Sequence, residues 1–461
     1  MSEIESLPKS WAASKIDELC VIVRGVTFPA SAKENRQTES NICCLRTSNV
    51  QSKLEWKDIY YIDKKYVKRE EQELKKGDIL MSMANSYELV GKVCTANEIP
   101  QTATFGAFLT ALRPAGRIDP RYFYYFLNSS AVQKRLRGNS SQTTNIANIS
   151  VKSLKAIDIV VAPFNEQRRI ADKLDSTLAA VEACKQKLNN ASETIQRFRQ
   201  SVLAAAVSGE LTREWREERA IEGEWETFTL SEICDTISDG DHQAPPRAEQ
   251  GIPFITISAI NEAELDLEKA TRFVPESYFQ ALSPNRRARR RDVLFSVTGS
   301  IAIPALVKTD KKFVFQRHIA LLRSDTLKIL PEYLYYNLLS NELKEKCFKN
   351  ATGTAQLTIP LKVLRNIQIK LPSIDEQKEI VSRVDDLYLS ATKIEFSIEQ
   401  ATQKTNSFIP SLLAKAFRGE LVPQEPNDEP ASVLLERIKT QREAGAADKK
   451  PAKRGRKKKA D

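Results

Sequence analysis

The 461-residue sequence predicts an α+β fold. Two similar mixed α/β domains are separated by two long helices that form an antiparallel coiled coil, and the whole is a pseudo-twofold tandem repeat. Three observations predict this. The chain matches itself at an offset of about 210 residues. Each copy alternates short β-rich runs with short helical ones, and each ends in a long stretch whose apolar residues recur every 3.5 positions.

The duplication is legible residue by residue. WAASKIDELC (11–20) aligns with WETFTLSEIC (225–234), so Trp11 meets Trp225, Ile16 meets Leu230 and Cys20 meets Cys234. GDILMS (77–82) aligns with RDVLFS (291–296) at the same offset of 214. DPRYFYYFLNS (119–129) aligns with LPEYLYYNLLS (330–340) at 211. NEQRRIADKLD (165–175) and DEQKEIVSRVD (375–385), then FRQSVLAAAVSGEL (198–211) and FIPSLLAKAFRGEL (408–421), align at 210.

Within each copy, CCLRTSNV (43–50) and PFITISAI (253–260) read as strands running into polar loops. DILMSMA (78–84) and DVLFSVT (292–298) read as buried strands. RYFYYFLNSS (121–130) and EYLYYNLLSN (332–341) read as helices. Their tyrosines, at equivalent places in both copies, suit core packing better than a variable contact. IDIVVAP (157–163) and IQIKLP (367–372) read as extended runs ended by Pro.

The long helices follow. In residues 166–208 one seam is Leu174, Val181, Leu188, Ile195 and Val202, and the other is Ile170, Thr177, Cys184, Ala191 and Phe198. In the second copy the seams are Val384, Ala391, Ile398, Thr405 and Leu412, and Ile380, Leu387, Ile394, Ala401 and Phe408. Asn165 and Asp375 are N-cap candidates, Gly209 and Gly419 C-terminal caps, and Pro410 interrupts only near the second end. At 1.5 Å per residue, residues 166–208 span about 64 Å. The helices either staple two domains together or hold two copies of a module at a fixed distance. A duplicated chain carries its own coiled-coil partner; pairing with another chain is the alternative. The expected partition is 1–163 first domain, 164–210 first long helix, 211–224 linker, 225–372 second domain, 373–420 second long helix, and 421–461 a short helix and basic tail.

The formal charge is +10, unevenly placed. Residues 448–461 hold eight Lys/Arg and two Asp, a net +6, leaving +4 on residues 1–447. That excess suggests a polyanionic partner. The tail, KKPAKRGRKKKAD (449–461), has no apolar period and is expected to be disordered, serving either non-specific DNA attraction or solubility. Before it, SVLLERIKTQREAG (432–445) reads as a short amphipathic helix able to dock on a partner.

Seven cysteines, an odd count with no CxxC, and two histidines predict reduced buried thiols rather than disulfides or zinc. No run approaches the ~20 apolar residues of a membrane span, and MSEIESLPKSW lacks a signal pattern, so no membrane association and a cytoplasmic location are expected. There is no P-loop (Gly91-Lys92 is followed by Val93), no GxGxxG after a strand, no HExxH and no GxSxG. The chain reads as a binder. Two similar modules on a spacer suit duplex DNA, whose turn is about 34 Å. Unlike modules suit an asymmetric bipartite site: His242, Gln243 and Arg247 have no counterpart in VRGVTFPASA (23–32).

On RGVTF (24–28), DGDHQAPP (239–246), FGAFLTALRP (105–114) against FQRHIALLRS (315–324), and the paired helix-end motifs NEQRRIADKLD/DEQKEIVSRVD and LAAAVSGELT/LAKAFRGELV, the chain resembles the specificity subunit of type I restriction–modification enzymes. The likeness covers essentially the whole chain. It implies two target recognition domains, each reading one half of a bipartite site in double-stranded DNA, and helices that dock two modification subunits. It implies a subunit not itself catalytic and holding no cofactor. S-adenosylmethionine for adenine methylation belongs to the modification subunits, and ATP and Mg to the partner subunits, which include restriction subunits acting as nuclease and translocase.

Base reading favours polar loop residues that match base-edge donors and acceptors. The candidates are Arg24, Thr27, Arg46, Asn49, Asn85 and Ser86 in the first domain. In the second they are His242, Gln243, Arg247, Ser258, Asn261, Thr298, Ser300, Arg317 and His318. A solvated loop is the other reading of each. Arg286, Arg287, Arg289, Arg290 and Arg291 suggest phosphate contacts or a charged turn; the matching first-half stretch holds only Lys75 and Lys76. SSQTTN (140–145) and ATGTAQ (351–356) are uncharged loops that either approach a ligand or simply connect. Gln167, Arg168, Gln377 and Lys378 are candidate partner-docking residues, with seam support the alternative. Two rival classes remain: a coiled-coil adaptor whose duplicated domains bind protein, and a self-contained enzyme.

Overall fold

In a computed structural model the offset reappears strand for strand. The structure describes residues 7–142, 146–240, 245–261, 264–354 and 356–448. The chain divides into two units: residues 1–186 with 402–461, the first module, and residues 187–401, the second.

In the first module, Cys20–Arg24, Leu109–Pro114, Ile79–Ser82 and Val93–Thr95 form an antiparallel sheet in that order. All four residues of Ile79–Ser82 are buried, as befits a strand covered on both faces. A second sheet orders Tyr60–Asp63, Asn41–Leu45 and Ala103–Phe105, the last pair parallel. Ala12–Lys15 pairs with Asp158–Val161, joining the module's opening to its closing strand.

The second module repeats the plan. Cys234–Asp239, Ile319–Ser324, Val293–Ser296 and Pro304–Leu306 form the antiparallel sheet. Arg272–Val274, Ile252–Ile255 and Val314–Phe315 form the mixed one, and Glu226–Thr229 pairs with Gln368–Leu371. The strands predicted over 43–50 and 253–260 end at Leu45 and Ile255, where their parallel neighbours end, and give way to 3-10 turns at Thr47–Asn49 and Ile257–Ala259.

The tyrosine-rich helices are Pro120–Asn128 and Pro331–Leu339. The first starts on Asp119, whose carboxylate accepts from the Arg121 N–H at 2.8 Å and the Tyr122 N–H at 3.2 Å. Tyr122 and Tyr333 are fully buried, and their hydroxyls donate to the carbonyls of Val160 (2.9 Å) and Lys370 (3.3 Å). Tyr125 and Tyr336 donate to Asp175 and Asp385 on the long helices. The recurrence is core packing.

The long helices run Phe164–Ser208 and Ile374–Phe417, the second unbroken at Pro410. Within residues 187–401 they pair antiparallel: Arg199 bonds Glu395 at 2.8 Å, and Arg383 donates to the Leu211 carbonyl at 3.0 Å. Only one seam of each turns inward along its length. Leu174, Val181 and Val202, and Val384, Ala391 and Leu412, are buried. The other seam is buried at Ile170 and Ile380, but Cys184, Phe198, Ile394 and Phe408 are exposed. A two-helix contact covers one stripe per helix, so the flanking stripe stays at the surface. The expectation of buried thiols therefore fails at Cys184. Burial pushes Cys43, Cys44 and Cys94 up to about 12, which keeps them protonated. No metal-binding cluster of His, Cys, Asp or Glu occurs among the described residues.

Each module is completed by the far end of the other long helix. The first core holds Ile170 and Leu174 together with Leu412, Leu413, Ala416 and Phe417. The second holds Ile380 and Val384 together with Val202, Leu203 and Ala206. The predicted amphipathic segment is the helix Ala431–Asp448, and its partner is this chain. Ala431, Leu434 and Ile438 enter the first core, and Arg442 donates to the Asp17 and Cys20 carbonyls. The stretch read as a linker, 211–224, contains the helix Arg213–Glu218, whose Trp215 is buried.

A carboxylate locks each closure. Glu166 accepts from Trp11 Nε1 (3.0 Å) and from the Gln424 amide, and Glu376 accepts from Trp225 Nε1 (3.2 Å), Thr212 (2.7 Å) and Arg216. Glu166 has only neutral donors among these, and burial raises its pKa above the usual carboxylate value. The folded state then binds this proton more tightly than the unfolded state. Its contribution to stability is fully present below the unfolded value and is lost as pH rises through the folded one. Glu166→Gln keeps an acceptor for Trp11 and should abolish that component of the first module's pH profile, measured by thermal melting from pH 4 upward.

Candidate nucleic-acid interface

In each module four segments meet where the two sheets end. In the first, the Gly25 N–H donates to Leu109 O (3.2 Å), Val26 to Phe105 O (2.8 Å), Gly106 to Leu45 O (2.9 Å) and Met83 to Phe108 O (2.8 Å). In the second, Gly240 donates to Ile319 O (3.2 Å), Gln316 to Ile255 O (3.1 Å) and Val297 to His318 O (2.9 Å). A Cβ on Gly25 would lie 2.2 Å from Gly106 O, and one on Gly240 2.2 Å from Phe315 O. Only glycine lets these backbones approach. Gly25→Ala or Gly240→Ala should open the crest of its own module, at about 1–3 kcal/mol by overpacking. Denaturant unfolding measures the cost, and loss of contacts to one half of the ligand marks the site.

On the first crest, Arg24, Thr27, Arg46 and Ser86 are exposed and Asn85 is half-buried. The Asn85 amide Oδ1 accepts from the Ser86 N–H at 2.9 Å, fixing the side chain beside its own loop. Arg46 lies over the Tyr60 ring, 5.9 Å from its centroid, and burial pushes the Tyr60 hydroxyl up to about 12, so it stays neutral. Asn49 is a correction. It is 1% exposed, and it accepts from Arg46 N (2.9 Å) and donates to Lys57 O (2.8 Å), so it closes a turn instead of standing on the crest surface.

On the second crest, Arg317 and Ser300 are exposed, and Thr298 and His318 are half-buried. Ser258 is exposed and its hydroxyl meets that of Thr256 at 2.8 Å. Arg247 is exposed on the loop before Ala248, which bridges to Phe273. Asn261 pairs with Glu264, and its side chain, like all of His242 and Gln243, lies outside the described residues. Residues 143–145 and 355 of the two uncharged loops do so too.

The arginine run does not present five free guanidinium groups. Arg287 donates to the Leu282 (2.9 Å) and Gln280 carbonyls and covers Phe279. Arg291 bonds both oxygens of Glu332 at 3.0 and 2.8 Å. Arg286 approaches Asp239 at 3.5 Å, and Arg290 pairs with exposed Asp310 at 3.3 Å. Arg289 is exposed.

Gln167 and Gln377 are corrections as docking residues, because neither reaches a surface. Gln167 is buried, accepts from Asp119 N (2.9 Å) and donates to Ala162 O (2.8 Å). Gln377 accepts from Leu330 N (2.8 Å) and donates to Lys328 O and Pro372 O, both at 2.9 Å. Arg168 and Lys378 are exposed. Phe108, at the place His318 takes in the second module, stands 66% exposed. The duplication offset pointed to it.

The paired crests and paired helices define a class, duplicated recognition modules on long helices. The model of the type I restriction modification DNA specificity domain matches residues 8–193 and again 222–402, and the chain belongs to that family. It is 30% identical to the type I restriction enzyme EcoKI specificity subunit of Escherichia coli (strain K12), over 97% of this chain and 99% of that one. It is 31% identical to the StySPI specificity subunit of Salmonella potsdam, with the same coverage. Its fold is similar to a chain of a solved type I R-M system, with TM-score 0.68 and 20% identity, covering 90% of this chain and 99% of that one. It is also similar to the HsdS subunit of Thermoanaerobacter tengcongensis, with TM-score 0.56 and 18% identity, covering 90% and 98%. The role is therefore that of a DNA sequence-specificity subunit, which is non-catalytic. No helix among the described residues is long and apolar enough to cross a membrane.

Proposed function

We propose that each crest reads one half of an asymmetric bipartite site in double-stranded DNA, and that exposed faces of the long helices hold two modification subunits. Restriction subunits join that assembly, and S-adenosylmethionine, ATP and Mg stay with the partners. One observation carries the reading: the same four-segment crest is built twice with different side chains. Arg46 stands where the second module has Thr256, Phe108 where it has His318, and Ala107 where it has Arg317. One scaffold with unlike side chains suits two unlike half-sites. Arg and Ser or Thr supply the donors and acceptors that distinguish bases in the major groove. For docking, Arg168 and Lys378 remain, joined by the exposed Phe198, Leu389, Ile394 and Phe396.

Arg317→Ala should weaken binding by about 1–3 kcal/mol and relax a position in one half-site only. Competition with duplexes randomised one position at a time reads this. Uniform weakening at every position would remove Arg317 from the reading residues.

A further inference from the structure

We propose that the first module carries a DNA-phosphate seat beside its crest, on the helix Ser130–Gly138. The inference rests on the DNA reading above and deepens it. A solvent-open cleft of about 360 Å³ is lined by Tyr87, Asn128, Ser130, Gln133, Lys134 and Arg137. It has two cations, four neutral polar side chains and no acid. Lys134 is exposed. Arg137 Nε is buried with no hydrogen-bond partner among the described residues, and its Nη2 makes only a 3.4 Å contact to Gln133 Oε1.

The cleft is tied to the reading loop. Gln133 Nε2 donates to Gly91 O (2.9 Å) and Leu127 O (2.7 Å), which braces the helix against the segment that begins at Asn85 and Ser86. Tyr87, in the cleft wall, directly follows Ser86. A phosphodiester seated there belongs to the strand whose bases face Asn85 and Ser86, and it fixes register without reading sequence.

The duplication supplies the contrast. At the offset of 211, Lys134 is replaced by Glu345 and Arg137 by Phe348, which is 52% exposed. The second module has exposed Arg289 and Arg290 instead, where the first has only Lys75 and Lys76. Lys75 already stands 3.8 Å from Glu70. The two modules thus grip the backbone from different elements.

The test is fluorescence anisotropy of the full chain with a random-sequence duplex between 50 and 200 mM salt. Lys134→Gln with Arg137→Gln should reduce the slope of log affinity against log salt by about 0.9, an affinity change across that range smaller by about 3.5-fold. Lys134→Gln alone, on an exposed residue that leaves the fold intact, should move the slope the same way. Glu345→Gln, at the matching place in the second module, should not reduce it. Wild-type slopes in the single and double variants would overturn the seat. A change in the bases recognised, rather than uniform weakening, would also overturn it in favour of a base contact. A wild-type chain without salt-dependent DNA binding would overturn the DNA reading itself, and the seat with it.

Discussion

Removing residues 402–461 is expected to unfold the first module while residues 187–401 stay folded. The removed segment supplies Leu412, Leu413, Ala416, Phe417, Ala431, Leu434 and Ile438 to the first core. Losing one large buried apolar side chain costs about 2–5 kcal/mol, and a domain's whole stability is about 5–15 kcal/mol. Several such losses together exceed it. The truncation also takes Gln424 from Glu166 and Asp428 from Arg169, an ion pair at 2.6 Å. Hydrogen exchange reads the outcome locally. Amides of Ile79–Ser82 should lose protection and those of Val293–Ser296 should keep it. Retained protection in Ile79–Ser82 would mean that the first module does not need the end of the chain.

Arg113→Ala and Arg323→Ala are expected to be the most damaging single substitutions, each in its own module. Arg113 bonds both oxygens of Asp78, at 2.6 and 2.8 Å, and Arg323 those of Asp292, at 3.0 and 2.7 Å. Both aspartates are nearly inaccessible, at 2% and 3%. Taking away one partner strands a buried carboxylate, at about 3–5 kcal/mol. Lysine should rescue poorly, because it cannot reproduce the two parallel bonds of the guanidinium. Denaturant unfolding of each variant reads the effect. A loss within the ordinary surface range would place these pairs among weak ion pairs.

Much of this architecture was legible in the sequence, because a duplication displays its own alignment. The offset located equivalent strands, the tyrosine helices and the two long helices. The motif survey pointed to a binder, and the non-catalytic role rests on the family to which the chain belongs. What stayed hidden depends on contacts across long stretches of chain. Glu166 meets Trp11 across 155 residues and Gln424 across 258, and no local pattern announces either. Both helix seams have the same period, so the sequence alone did not show which one turns inward. Gln167 and Gln377 recur because each braces a buried backbone, and recurrence by itself looks the same for a brace and for a docking residue. The arginine run shows the same limit, because its pairing with Glu332 and the Leu282 carbonyl depends on the fold. At the crests, Arg24, Arg46 and Arg317 are exposed as a base-reading role requires, Asn49 is buried, and Phe108 is exposed although its apolar ring reads as core in the sequence.

The most direct test of the central claim is to map adenine methylation in cells that express this chain with its modification subunit. Two-module reading requires methylation at one asymmetric bipartite motif with an unread gap, and exchange of residues 1–163 for another such domain should alter only one half of it. An active complex whose methylation follows a single continuous motif, or none, would contradict two-module reading.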